Sequence, residues 1–322
     1  MFVMHTWLLP AVSFLALILS ECVAQTTTVA TSSAVIPTFP PGATATPARG
    51  VNYWFSFGDS YTQTQFANNG TLPSPDNPMG NPPFPGFTAV GGINWIDQAT
   101  FTSNHSLVLT YNYAFGGATI NASLVTPFEP QVLSLGDQVQ EFLMQPNVGT
   151  GNKIWKSDNA LASIWLGTND VAGSFAANPD YGPFADLLMD NYFELVQDLF
   201  GAGLRNFLFL NAPAVDRTPM IIAEGLNATT QARNAVNIYN TKLNERRLNF
   251  AATHPEVRTF MFDADKTFNT ILDNLPSFNF TNNQTDFGNE GDFWGNNFHP
   301  SSQAQVIFGD EIGSEVLKGT VW

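Results

Sequence analysis

Ser60 closes the segment Phe55-Ser56-Phe57-Gly58-Asp59-Ser60, where an aromatic-rich apolar run, residues 53–57, stops abruptly at a tight turn. Such a run bounded by glycine reads as a short buried strand. In an open α/β sheet, ligands bind outside the carboxyl ends of the strands, so a hydroxyl at this position is well placed for chemistry. Gly-Asp-Ser is also a common plain turn. Two further apolar runs end in the same way, one at Phe115-Gly116-Gly117-Ala118-Thr119 and one at Gly167-Thr168-Asn169-Asp170. His299, before Pro300, precedes the final helix. If these ends share one edge, the set suits acyl transfer. Ser60 would attack, His299 would take its proton and return it to the leaving group, and two or three donors would hold the oxyanion. The backbone N–H groups of Ser60 and Gly117 and the amide of Asn169 are the candidate donors. Glycine at 117 fits, because a residue without Cβ lets the backbone approach a substrate oxygen.

The elements that must position these residues follow from hydrophobic period. Strands are expected at 53–57, 107–114, 161–166, 206–210 and 257–262. Helices are expected at 92–101, 131–143, 184–200, 229–250 and 266–275, with a last one at 301–317 started by Ser301 or Ser302. Strand–helix alternation predicts a mainly parallel sheet covered on both faces, a three-layer α/β/α sandwich. The proline-rich segment 72–87 can be neither helix nor inner strand, and a long loop above a sheet often shapes a substrate site.

The chain has 322 residues, of which 44% are hydrophobic and 12% charged, enough for one large core. Residues 1–24 hold an apolar stretch followed by Cys22-Val23-Ala24, which reads as a secretory signal without a basic start. Residues 25–50 are Thr, Ser, Ala and Pro, a flexible stalk, and 51–322 form the folded domain. Cys22 is the single cysteine, so no disulfide is expected in the mature chain. Six Asn-x-Ser/Thr sequons, at Asn69, Asn104, Asn121, Asn227, Asn279 and Asn283, agree with export to the extracellular space. A formal charge of −15 argues against nucleic acid and anionic membrane as partners. The apolar stretch is too short to be a membrane span, no other span candidate is evident, and a monomer is the default.

Other motifs carry less. Gly201-Ala202-Gly203 lacks the third glycine of a dinucleotide turn and precedes a strand. Asp263-Ala264-Asp265 opens like a calcium loop, but Phe268 stands where that loop needs glycine. No His or Cys cluster suggests zinc, so neither metal nor cofactor is expected. His105 lies inside a sequon, and His254 follows a helix end where a cation favours the dipole.

Taken together, Phe57-Gly58-Asp59-Ser60, Ala114-Phe115-Gly116-Gly117-Ala118-Thr119, Gly167-Thr168-Asn169-Asp170 and His299-Pro300 resemble the four blocks of the GDSL or SGNH hydrolases. The resemblance spans nearly all of the chain after residue 50 and implies a flavodoxin-like sheet and a serine esterase. Within that family, Gly58-Asp59-Ser60-Tyr61-Thr62, the paired glycines and Asn211-Ala212-Pro213-Ala214-Val215-Asp216-Arg217-Thr218-Pro219 are most similar to fungal secreted acetylesterases of carbohydrate esterase family 16. This implies removal of acetyl groups from plant cell-wall oligosaccharides such as acetylated xylo-oligomers. One position departs: the family usually places Asp three residues before the histidine, and here Asn296 stands there. Asn296 or a backbone carbonyl orients His299, another acid such as Asp292 does so, or turnover is slow. Asp59 and Trp294 are candidate substrate-binding residues, although Asp59 and Asp170 also suit holding their turns, and Trp165 reads as core. Rival readings are a secreted lipase acting on lipid esters and a carbohydrate-binding homologue with little turnover.

Overall fold

The computed structural model describes residues 50–322; the expected signal and all of the stalk but Gly50 lie outside the described residues. Five strands, β1 (Asn52–Gly58), β2 (Val108–Asn112), β3 (Ala160–Trp165), β4 (Asn206–Leu210) and β5 (Arg258–Phe262), form one sheet in the order β2-β1-β3-β4-β5. Every pairing is parallel. This is the α/β, flavodoxin-like order expected. The order reverses between β1 and β3, where Gly58 pairs with Trp165, and in sheets of this kind ligands bind beyond the strand ends at such a reversal.

Parallel strands buried on both faces need apolar residues on both. Along β1, Phe55 and Phe57 point into one layer and Trp54 into the other. The first layer holds α2 (Leu135–Met144), α4 (Tyr181–Gly201) and α6 (Leu226–Thr253). The second holds α1 (Trp95–Phe101), α7 (Ala264–Leu272) and α8 (Ser302–Glu311). Trp165 lies fully buried in the second core, as expected, edge-on to Tyr61, Trp95 and Phe262. The few polar groups of the sheet interior are paired: Trp54 Nε1 donates to Ser163 Oγ at 2.7 Å, and Ser163 Oγ donates to Ser56 Oγ at 3.0 Å.

Caps decide where helices begin. Asn94 and Asp97 form a capping box, so α1 starts at Trp95 and not at Gly92, whose φ is +68°. Ser134 and Asp137 do the same for α2, which starts four residues later than periodicity predicts. Two short helices were not expected: α3 (Thr168–Ser174), directly after β3, and α5 (Pro219–Ala223), capped by Thr218 with Pro219 in its first turn. The final helix is α-helical only to Glu311 and ends in a π turn, Ile312–Val316. Among the described residues, no helix is long and apolar enough to cross a membrane.

Candidate active site

Ser60 stands just past the end of β1, and two anchors fix that end. Gly58 N–H donates to Gln138 Oε1 and Gln138 Nε2 donates back to Gly58 O, both at 2.9 Å, so a buried side chain of α2 completes the strand's backbone bonding. Phe115 N–H also donates to Gly58 O, at 3.1 Å, which ties the glycine pair to the same point. Within the turn, Asp59 Oδ1 accepts from Tyr61 N–H, and Asp59 O accepts from Thr62 and Gln63.

Residues 115–118 make a turn closed by Ala118 N–H to Phe115 O at 3.1 Å. Gly117 occupies its third position with φ +82°, which a type II turn demands and which a side chain resists. Asn169, in the first turn of α3, donates one amide hydrogen to Ala118 O at 2.9 Å, and its neighbour Asp170 accepts from Ile120 N–H. Gly167 leads into α3 with φ +124°, and a methyl there would strike the Tyr239 ring, whose hydroxyl donates to Leu166 O. The Ser60 and Gly117 N–H groups have no protein acceptor among the described residues. The second Asn169 amide hydrogen is likewise unused, so these three donors are left without a protein partner among the described residues.

His299 lies 239 positions beyond Ser60, yet its Nε2 is 2.7 Å from Ser60 Oγ. The ring is buried and tilted against Tyr61, whose hydroxyl donates to Phe298 O at 2.5 Å and so ties the serine turn to the histidine loop. Its Nδ1 is 3.0 Å from Asn296 Oδ1. The same oxygen accepts from the backbone N–H groups of Phe298 at 2.9 Å and His299 at 2.8 Å. Backbone N–H groups can donate only to the amide oxygen, so the Asn296 amide cannot turn its NH2 toward the ring. Nδ1 therefore carries the ring proton, and Nε2 is left as an acceptor facing the Ser60 hydroxyl. Of the candidate orienting groups for His299, Asn296 is the one at hydrogen-bond distance from the ring. Asp292 takes no part: it accepts from Thr281 Oγ1 and from the backbone and side chain of Asn289.

Electrostatically, the site keeps its histidine neutral. Burial pushes the His299 imidazole down from 6.5 to about 4, and Asn296 offers a dipole but no charge to oppose this. Burial acts the other way on Asp59 and Asp170, each raised to about 7. The arrangement can move a proton from Ser60 Oγ to His299 Nε2 and receive an oxyanion beside Gly117 and Asn169.

Two assignments need correction. Trp294 is fully buried, packed against Phe268 and Phe293 with its Nε1 donating to Gln284 O, so it cannot bind substrate. Asp59 is also fully buried and its carboxylate serves the turn, so it does not reach substrate. Two positioning residues were missed. Gln138 lies one helical turn from Leu135 and beside Val139 on the buried face of α2, and a lone amide on an apolar face was the available signal. Tyr61 offered none beyond its place in the motif. Among the described residues, no group of three or more His, Cys, Asp or Glu side chains could hold a metal ion.

A family model described as GDSL-like lipase/acylhydrolase matches residues 55–312. A curated protein named acetylesterase, from Thermothelomyces thermophilus, is 38% identical over 285 residues, covering 86% of this chain and 93% of the relative. A GDSL esterase/lipase of Arabidopsis thaliana is 23% identical over 188 residues, covering 54% of this chain and 51% of the relative. Among solved structures, an acetylxylan esterase from Geobacillus stearothermophilus is 13% identical with a TM-score of 0.45, covering 82% of this chain and 92% of that one.

Proposed function

Because the chain belongs to the GDSL lipase/acylhydrolase family and is a carboxylic ester hydrolase of the acetylesterase type, we propose that it is a secreted enzyme removing acetyl groups from cell-wall carbohydrates such as acetylated xylo-oligosaccharides, through an acyl-Ser60 intermediate. The observation that carries the catalytic part is the hydrogen-bonded chain from Ser60 Oγ to His299 Nε2, and from His299 Nδ1 to Asn296 Oδ1, beside unpaired donors.

In this reading, His299 Nε2 takes the Ser60 proton as Oγ attacks the acetyl carbon. The resulting oxyanion is held by the Ser60 and Gly117 N–H groups and the Asn169 amide. The proton on Nε2 passes to the departing sugar oxygen, which leaves as the alcohol. A water molecule, deprotonated in turn by His299, attacks the acetyl-serine and releases acetate, restoring the hydroxyl. Asn296 acts on the ring by fixing its tautomer. Sugar as the alcohol part is supported by the family 16 resemblance. Secretion is supported by the apolar stretch within residues 1–24 and by the sequons. Of these, Asn69, Asn227, Asn279 and Asn283 are exposed.

The test is acetate release from acetylated xylo-oligosaccharides by the wild type and by Ser60→Ala. Release by the wild type, lost in the variant by a factor of about 10⁴ or more, is expected. A wild type that prefers long-chain acyl esters would overturn the acetylesterase reading in favour of a lipase.

A further inference from the structure

We propose that Gln63 and Phe87 form the subsite for the alcohol part of the ester, Gln63 binding a ring hydroxyl beside the acetyl group and Phe87 stacking on a sugar ring; this rests on the carbohydrate acetylesterase reading above.

Gln63 follows Ser60 by three residues within one turn of chain, since Thr62 and Gln63 both donate their N–H to Asp59 O, at 3.1 and 3.0 Å. Positions three apart in such a turn share a side. Its backbone is held rigidly: Asn94 Nδ2 donates to Thr62 O and to Gln63 O, each at 3.0 Å. The side-chain amide lies against Gly116, where an added methyl would collide with the amide oxygen. Gly116 adjoins Gly117, a candidate oxyanion donor, so the amide stands at the edge of the site. Half-buried there, it makes no hydrogen bond to any described residue. A carboxamide both donates and accepts, as a sugar hydroxyl does, so one sugar O–H can satisfy it twice.

The backbone of Phe87 meets the same segment of chain from the proline-rich loop. Its N–H donates to Thr64 O at 3.1 Å, and Gly86 takes φ +80° so that the chain can press on that carbonyl. Thr64 is adjacent to Gln63 and only four residues from Ser60, at most about 15 Å along the chain. The loop is anchored behind Phe87 by Asn81, whose amide bonds Ala67 twice and Thr71 once, and by Phe84 edge-on to Phe101. Yet Phe87 is 61% exposed, the most of any phenylalanine among the described residues. A large apolar ring held in solvent on a fixed loop contributes nothing to a core and is free to stack on a ligand. Its flat face suits the C–H face of a sugar.

The readout is the ratio of kcat/KM on an acetylated xylo-oligosaccharide to kcat/KM on a small aryl acetate. Gln63→Ala and Phe87→Ala should each lower that ratio about three- to tenfold, through KM on the oligosaccharide, and Phe87→Trp should restore it. Because each variant is normalised by its own aryl acetate activity, a folding defect does not imitate the effect. Ratios within twofold of wild type for both alanine variants overturn the subsite while leaving the acetylesterase reading intact. A wild type that cleaves the aryl acetate but not the oligosaccharide overturns that reading and the subsite with it.

Discussion

At the scale of single residues, the unusual feature is an amide where an acid is expected. In serine proteases, replacing the orienting Asp by Asn costs about 10⁴ in turnover because the ring adopts the wrong tautomer. Here two backbone N–H groups pin the Asn296 oxygen toward Nδ1, so the tautomer is correct and only the charge is missing. A neutral partner leaves the imidazole at about 4, a weak base but one still unprotonated in acid. Asn296→Asp should therefore raise kcat/KM at pH 7 by about 10- to 100-fold. The added carboxylate stabilises the imidazolium and lifts its pKa, so the acid limb of the profile should move to higher pH and the gain should vanish below about pH 5. An unmoved acid limb in pH profiles of both proteins would show that position 296 does not feel the ring's charge.

At the scale of elements, the site depends on how strand ends are finished. Gln138→Leu keeps the shape of the buried side chain but leaves Gly58 N–H without an acceptor, whereas Gly58 O keeps its bond from Phe115. The expected cost is about 1–3 kcal/mol in denaturant unfolding, with a parallel loss of esterase activity as Ser60 and the Gly117 turn shift together. Unchanged activity in a destabilised variant would restrict Gln138 to a stability role. The strands and long helices were legible because their apolar periods are strong, and Ser60, Gly117, Asn169 and His299 because each follows or precedes an element with a clear boundary. Helix α3 was not legible, since it starts at Thr168 within the glycine turn and spans only seven residues. Nor was the burial of Trp294, which depends on the loop around residue 284 folding back to accept its Nε1, a long-range closure that local pattern does not encode. Gln63 and Phe87 carry no signal until Gly116 and Thr64 are seen beside them.

At the scale of the whole molecule, buried ionisable groups tie stability to pH. Burial raises Asp59 and Asp170 to about 7 and Asp97 to about 8, against 3.8 when exposed. From about pH 4 upward the unfolded chain has released these three protons, while the folded one retains them to about pH 7 at Asp59 and Asp170 and to about pH 8 at Asp97, so their contribution is present in acid and lost as pH rises through those values. His299 opposes them over a narrower window, from 4 to 6.5, because there the unfolded chain binds the extra proton. The carboxyls outnumber it, so Tm should fall by on the order of 5 °C or more from pH 5 to pH 8. Asp97→Asn keeps the acceptor for the Asn94 N–H and should flatten that slope. A Tm that climbs toward pH 8 in scanning calorimetry would contradict the assignment. Sequence order has a further effect through the 239 positions separating nucleophile from base. At about 5–20 residues per second, a ribosome needs roughly 12–50 s after making the serine before it adds the histidine. Throughout that interval the nascent polypeptide holds the Ser60 hydroxyl without His299 beside it, so the hydrolase is latent during its own synthesis.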